Sequence, residues 1–313
     1  MIMKEIILDT DIGIDCDDAV ALALLIKLAK VKKCKFDTVV TSTSREGAAA
    51  CVRAVAGYYN YKIPNIGKMA RALECDKKNT YAKAVMQKYG YDDGCETSVA
   101  VLRKKLAAAK NKIAFVTIGP LSTLADFLQS GGDDISALTG QQLFDNKISE
   151  LYMMAGCFPQ PGKTFYYQEK HPVRTEWNVV QDIPAAQYVM ERVKCRVIMS
   201  PFEVGSKIFT GNVLKKEKNN PVWYSLECFA KNELNLEDTL SFARESWDPV
   251  TCYVAAEGIK APFSLSKPGK VAVEKDGFTS FAKADGGKHY YLTVAKEGYY
   301  KEIENTINGI IAL

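Results

Sequence analysis

Residues 5 to 30 read as three consecutive runs: an apolar strand-like stretch, EIILD, then a short acidic segment, then the apolar helical stretch AVALALLIKLAK. The acidic segment is Asp9-Thr10-Asp11-Ile12-Gly13-Ile14-Asp15-Cys16-Asp17-Asp18, so five carboxylates crowd the turn between a strand and a helix. A strand that passes through so short a turn into a helix is the opening of a βαβ unit, and that unit requires a parallel neighbour for the strand.

The same alternation continues. FDTVVTST is strand-like and the stretch from Gly47 to Tyr59 is helical, and further strand candidates lie at 112–118 (KIAFVTI), 150–156 (ELYMMAG) and 195–200 (CRVIMS). Helical patterns cover 182–194, 222–232 and 234–257, and 267–294 reads as short strands joined by Gly turns. The expectation is an α/β fold of doubly wound order, with a mostly parallel central sheet and helices on both faces. No linker interrupts the pattern, which predicts a single domain over 1–313. In such sheets ligands collect at the carboxyl ends of the strands, where helix N-termini point. The acidic segment occupies one such end.

Composition narrows the function classes. With 47% hydrophobic and 25% charged residues in 313, the chain is long enough to bury a large core. Its 41 basic and 37 acidic residues are spread along the chain without a Lys/Arg block, so nucleic acid is a poor candidate partner. No apolar run is long enough for a membrane span, and the N-terminus lacks the pattern of a secretion signal, so the expected location is cytoplasmic. The nine cysteines show neither C-x-x-C pairs nor zinc spacing, and reduced, mostly buried thiols are expected.

One or two aspartates at a helix start are ordinary caps, because the backbone N–H groups and the helix dipole favour them. Five exceed that need, and a hard divalent cation with six to eight oxygen ligands relieves their repulsion. An EF-hand does not fit: counting from Asp9, the fifth, sixth and twelfth positions are Gly13, Ile14 and Val20. A phosphatase of the haloacid dehalogenase type remains an alternative, with Asp9 as nucleophile and Asp11 as acid after the apolar strand.

The segment DTDIGIDCDDAVALAL resembles the signature of the inosine–uridine-preferring nucleoside hydrolases, D-T-D-P-G-x-D-D-x-x-A. Three further segments match in order: IGPLSTLADFL at 118–128, MAGCFPQPG at 154–162 leading to EWN at 176–178, and WDPVTCYVA at 247–255. The resemblance implies hydrolysis of ribonucleosides to ribose and free base, with Ca²⁺ as cofactor and a homodimeric or homotetrameric assembly. It also implies roles: Asp11 as metal ligand and general base, Asp18 and Asp248 as carboxylate ligands, and the Ile118 carbonyl as a main-chain ligand. Asp17, Met154, Glu176 and Asn178 fall where the family contacts ribose.

The chain departs from the signature in three places. Two extra residues separate the aspartates, so either Asp15 or the pair Asp17-Asp18 takes the metal and ribose roles; the helix starting directly after them favours Asp17 and Asp18. The position near the site after the second strand is Thr43-Ser44, which makes Ser44 a candidate substrate contact. Trp247 stands where a His often precedes the distal Asp, and an indole stacks on a purine without donating an acidic proton. That arrangement resembles the purine-preferring branch. The insertion between 162 and 176 carries Tyr166, Tyr167, His171 and Arg174 and reads as a lid. A nucleoside- or ribose-binding protein without turnover is the alternative from another class.

Overall fold

The computed structural model describes residues 3–159 and 163–313. Along the chain the strands are β1 (Glu5–Thr10), β2 (Lys35–Thr41), β3 (Asn65–Lys68), β4 (Glu96–Thr97), β5 (Ile113–Thr117) and β6 (Ile148–Met154), then a separate hairpin of β7 (Phe165–Tyr167) and β8 (His171–Val173). They continue with β9 (Arg196–Ser200), the short pair β10 (Phe209–Thr210) and β11 (Arg244–Glu245), and β12 (Phe263–Leu265), β13 (Gly269–Val273), β14 (Thr279–Lys283) and β15 (His289–Val294). The main sheet runs in the order β14-β13-β15-β9-β6-β5-β1-β2-β3-β4, with β12 beside β15. Every pairing from β15 through β9 to β4 is parallel, and the β12, β13 and β14 pairings are antiparallel.

Both faces of this sheet are covered, which is why its inner strands are apolar without interruption. Successive side chains alternate between faces. Ile6 and Leu8 of β1 join one core, whereas Ile7 joins the other. Ala114 and Val116 of β5 face the first core and Phe115 the second. Helix Asp17–Lys30 is shut in on almost every side, with Ala19 through Ile26 all at 0% exposure, because it lies under helices Trp247–Glu257 and Tyr299–Ile311. That burial explains why AVALALLI carries no polar face.

Expectation and structure differ over 234–257. Only Trp247–Glu257 is helical; the preceding stretch turns and contributes β11, with Asn235 at positive φ. Leu234, Leu236 and Leu240 are exposed, so they give a longer helix no apolar face to bury. Starting at Trp247 also puts Pro249 in the first turn, where its missing N–H is harmless. The C-terminal helix Tyr299–Ile311, strand β3 and the edge strand β4 were not anticipated from sequence. All nine cysteines are free thiols.

The strand order reverses at β1, with β2 to β4 on one side and β5, β6 and β9 on the other. The crevice between the carboxyl ends of β1 and β5 is therefore the switch point of the sheet, and Asp11 and Ile118 sit on its two lips. Gly119 follows Ile118, and a Cβ there would collide with Ser42 Oγ and lie 2.9 Å from the Asp11 nitrogen. Gly119→Ala is expected to push the two lips apart at a cost of about 1–3 kcal/mol. Chemical denaturation of the variant against the wild type reads this directly, and an unchanged midpoint would contradict the packing.

Candidate functional site

The loop from Asp11 to Cys16 is held by side chains from two distant segments. Arg45, almost fully buried, donates from Nη1 to the Asp11 carbonyl at 2.8 Å, from Nε to the Lys78 carbonyl at 2.6 Å and from Nη2 to the Cys75 carbonyl at 3.1 Å. Thr80 donates to the Gly13 carbonyl through both its N–H and its hydroxyl, each at 2.9 Å, and the Tyr81 hydroxyl donates to the Asp15 carbonyl at 2.8 Å. Gly13 has φ +128°, and a Cβ on it would lie 2.9 Å from Ala82 Cβ, so the loop needs glycine here. Arg45, Thr80 and Tyr81 thus fix where Asp11 points.

Asp17 and Asp18 begin helix Asp17–Lys30, and Asp248 is in the first turn of helix Trp247–Glu257. One carboxylate oxygen from each of Asp17, Asp18 and Asp248 lies within 4.8 Å of the others, and all three residues are buried. Asp17 Oδ2 accepts the Asp248 backbone N–H at 3.1 Å, and the Thr10 hydroxyl donates to Asp18 Oδ1. Burial pushes all three carboxyls well above the usual range, and repulsion from neighbouring aspartates, Asp15 and Asp11 in the case of Asp17, pushes the same way, while the Arg244 guanidinium pulls Asp17 down. Asp11 is raised to about 6, chiefly by burial, against the opposing pull of the Arg45 guanidinium. A buried cluster supplied only by carboxylate oxygens, with no cation among its members, is the donor set that a hard divalent ion requires. The residues present fit such an ion.

These carboxylates open onto a cavity of about 310 Å³, within the range of small-molecule sites. Its lining includes Asp11, Asp15, Asp17, Asp18, Ile118, Met154, Glu176, Asn178, Trp247 and Asp248. Asn178 Nδ2 donates to the carbonyls of Ile118 and Met154, both at 3.1 Å, which ties the ends of β5 and β6 together. Glu176 caps the short helix Trp177–Val180, accepting from Asn178 N at 2.7 Å, Val179 N at 3.2 Å and Gly156 N at 3.3 Å. Burial raises the Glu176 carboxyl to about 7.

The rest of the lining is largely aromatic. Trp247 Nε1 donates to the Phe202 carbonyl at 2.9 Å, and the two rings lie 5.1 Å apart. Tyr167 from the β7–β8 hairpin packs on Phe202 at 5.5 Å, and Phe229 and the half-exposed Trp177 complete the lining. Of the insertion read as a lid, Tyr167 alone lines the cavity. Tyr166 and His171 are exposed, and Arg174 pairs with Asp276 at the surface. Residues 160–162 of the segment 154–162 lie outside the described residues.

Two positions stand apart from the carboxylate cluster. Ser44 is outside the cavity lining, its N–H and hydroxyl both donating to Asp76 at 3.0 and 2.8 Å. Asp15 reaches the cavity but is engaged bidentately by Arg244, at 2.7 Å from Nε and 2.5 Å from Nη2. Asp9 is at 0% exposure behind Asp11, with Thr117 donating to it at 3.1 Å, so it is shut off from any incoming phosphate. That placement removes the nucleophile on which the phosphatase alternative depends. Sequence reasoning did not reach Arg45, Thr80, Phe202, Phe229, Trp177 or Arg244. Arg244 alone left a trace, as a basic residue four positions before Asp248 with an unmatched aspartate, Asp15, elsewhere.

The chain was compared with known proteins. Residues 6–299 match the family described as inosine-uridine preferring nucleoside hydrolase. No curated protein matches the sequence significantly. Among solved structures the chain is similar to an inosine-uridine preferring nucleoside hydrolase from Bacillus anthracis, with TM-score 0.67 and 17% identity over 99% of both chains. It is similar to a purine-preferring ribonucleoside hydrolase from Gardnerella vaginalis, with TM-score 0.70 and 15% identity over 99% of both chains. It is also similar to the type III effector protein XopQ, solved with adenosine diphosphate ribose, with TM-score 0.70, 13% identity and coverage of 100% of this chain and 93% of that one. With the doubly wound sheet, the carboxylates at its switch point and a family match over nearly the whole length, the chain belongs to the inosine-uridine preferring nucleoside hydrolases, enzymes that hydrolyse N-glycosyl compounds.

Proposed function

We propose that this chain hydrolyses the N-glycosidic bond of purine ribonucleosides, with Ca²⁺ as its cofactor, in purine salvage. The observation that carries this reading is the meeting of Asp17 and Asp18 with Asp248, from segments more than two hundred residues apart, on a cavity also lined by aromatic rings. Asp18 and Asp248 would hold the cation, flanked by Asp11 and Asp17. When bound, the ion supplies Lewis acidity that lowers the pKa of water. Asp11, raised to about 6 and pinned through its main chain by Arg45, is positioned to take the proton from the attacking water near neutral pH. The surrounding carboxylates favour the positive charge that develops on the ribosyl ring as the bond to the base breaks. Asp17 offers an acceptor to ribose hydroxyls, and Glu176 orients Asn178 by capping the turn that bears it. Phe202, Tyr167 and Trp247 give the base a stacking wall. Assembly as a homodimer or homotetramer belongs to the same reading and is measured by sedimentation.

A second reading, binding of a ribosyl ligand without turnover, draws support from the positions where the loops depart from the family signature, Thr43-Ser44 among them. The XopQ complex with adenosine diphosphate ribose points the same way. A nucleoside panel assayed for free ribose separates the two. Purine nucleosides are expected to release ribose with Ca²⁺, and Asp11→Ala is expected to lose roughly 10²- to 10⁴-fold in kcat. Equal release by both proteins removes Asp11 from the mechanism, and calorimetric binding of inosine without any free base supports the silent reading.

Linkage gives a second measurement. Carboxyls whose folded pKa is raised take up protons in the folded state, so their contribution is full below the ordinary carboxylate range and is lost as pH rises through the folded values. For Asp11 and Glu176 those values are about 6 and about 7. In chelator the melting temperature is therefore expected to fall between pH 5 and pH 8. Ca²⁺ at a hundred times its Kd should restore about 2.7 kcal/mol, and at one fixed concentration the gain should be larger at pH 8 than at pH 5. A melting temperature indifferent to both pH and Ca²⁺ would count against the cluster as a cation site.

A further inference from the structure

The chain is longer than the family signature in the acidic segment and again between 162 and 176, and these two places meet in space. The second insertion forms the β7–β8 hairpin, which among the described residues pairs with no other strand. Its side chains alternate across the ribbon: Phe165, Tyr167 and Val173 are half-buried, whereas Tyr166 and the stretch from Gln168 to Pro172 are exposed. Phe165 and Tyr167 rest on Phe202, with ring centres 6.1 and 5.5 Å away, and Arg174 reaches Asp276 at the foot of the hairpin. The turn holds Gln168 and Glu169 at φ +51° and +60°, a conformation that side chains disfavour. A two-stranded ribbon of this kind is marginal by itself, so its position depends on what its inner face grips.

That grip runs into a chain of charged side chains. The Tyr167 hydroxyl donates to Glu245 Oε1 and accepts from Arg244. Burial and the Glu245 carboxylate push this hydroxyl up to about 12, so at neutral pH it stays a donor. Arg244 Nη1 donates to Glu245 Oε2 at 2.5 Å, and its Nε and Nη2 hold Asp15 at 2.7 and 2.5 Å. The guanidinium lies over the Trp247 and Phe229 rings at 4.8 and 4.9 Å, within the cavity lining. Asp15 belongs to the loop that leads from Asp11 to Asp17, and the same guanidinium offsets part of the repulsion at Asp17. Moving the hairpin would therefore take Tyr167 out of the cavity wall and release one side of Arg244. We propose that the hairpin is a lid on the cavity, latched by Tyr167 on Glu245 and Arg244, and that Asp15 ties this latch to the acidic segment. Tyr167 and Asp15 are then positioning residues, and closing the cavity and fixing the loop that bears the carboxylates become one cooperative step. The inference rests on the hydrolase reading only for the nucleoside used below as a probe.

Hydrogen exchange of the amides in 165–173, followed by mass spectrometry, measures opening without any ligand in the wild type, Tyr167→Phe, Asp15→Asn and the double variant. Tyr167→Phe keeps the ring on Phe202 and removes only the hydroxyl. It is expected to speed exchange of the hairpin by roughly tenfold to a hundredfold, the effect of losing a hydrogen bond to a charged group. Asp15→Asn touches no residue of the hairpin, yet it should speed the same amides by roughly threefold to tenfold, because a neutral acceptor holds Arg244 less firmly. In the double variant the factor should fall short of the product of the two, since both changes break one latch. Tyr166→Phe, on the exposed side of the ribbon, should leave the rates unchanged. A second measurement follows inosine binding by stopped-flow fluorescence of Trp177 and Trp247, which line the cavity, in an Asp11→Asn background. Loosening a lid raises the association and the dissociation rate constants together, whereas losing a ligand contact raises dissociation alone. Tyr167→Phe is expected to raise both.

Hairpin exchange unchanged by Tyr167→Phe overturns the latch. An effect of Asp15→Asn confined to residues 11–18 overturns its tie to the acidic segment, as do strictly multiplicative factors in the double variant. A rise in dissociation alone makes the hydroxyl a ligand contact and overturns the lid. Should inosine not bind at all, the hydrolase reading fails by itself, and the exchange rates still decide whether Tyr167 and Asp15 act on one latch.

Discussion

Asp11, Asp17, Asp18 and Asp248 are all shut away from solvent at one end of the sheet, and among the described residues no salt bridge reaches the three that cluster most closely. In so poorly polarisable a setting, like charges can persist only if they are protonated or share a cation. Much of the architecture serves to bring them together. β1 delivers Asp11 through five buried residues, and the helix that follows carries Asp17 and Asp18 on its first turn. Helix Trp247–Glu257 lies against that helix so that Asp248 N–H binds Asp17. The unbroken apolar run from Ala19 to Ile26 is the structural counterpart: a helix enclosed along that run positions its first turn far from water.

Around this cluster two guanidiniums offset part of the repulsion, Arg45 at Asp11 and Arg244 at Asp17, while their hydrogen bonds go elsewhere. Arg45 spends its donors on three carbonyls, with Asp76 at 3.4 Å as its ion-pair partner. Arg244 is balanced by Asp15 and Glu245. Each guanidinium is therefore close enough to shape the loop or the cavity, yet neither forms a salt bridge with Asp17, Asp18 or Asp248. The rest of the repulsion among those carboxylates is left for a bound ion to relieve, which couples ion binding to the stability of the fold.

The fold was legible because parallel strands covered on both faces read as continuous apolar runs, and β1, β5, β6 and β9 fall where those runs lie. The carboxylate site was legible because a charge density beyond what capping needs has few physical resolutions, and because Asp248 sits in a matching segment. The aromatic wall was not. Phe202 and Phe229 are single apolar residues on helices whose other members fill the core, and nothing in their spacing distinguishes a ring that faces a cavity from one that faces a neighbour. Arg45 and Thr80 were illegible for a related reason: they act on main-chain carbonyls, and a carbonyl leaves no mark in a sequence. The helix expected over 234–257 failed where apolar residues occur without a face to bury, because periodicity reports a possible stripe and not the presence of a partner for it.

Asp15 shows how an ambiguity in the pattern resolves into chemistry. Beside Asp17 and Asp18 it is a third carboxylate in four residues, and within the cluster it would add repulsion. The loop instead turns it toward Arg244, with its own carbonyl accepting from Tyr81 and Oδ1 also accepting the Cys16 N–H at 2.7 Å. Asp15 still repels Asp11, Asp17 and Asp18, and Arg244, which it holds, offsets part of the repulsion at Asp17. One cavity is thus lined both by the carboxylates that would favour positive charge on a ribosyl ring and by the aromatic rings that would stack on a base, and the link through Asp15 and Arg244 couples the loop that carries the first to the residues that form the second.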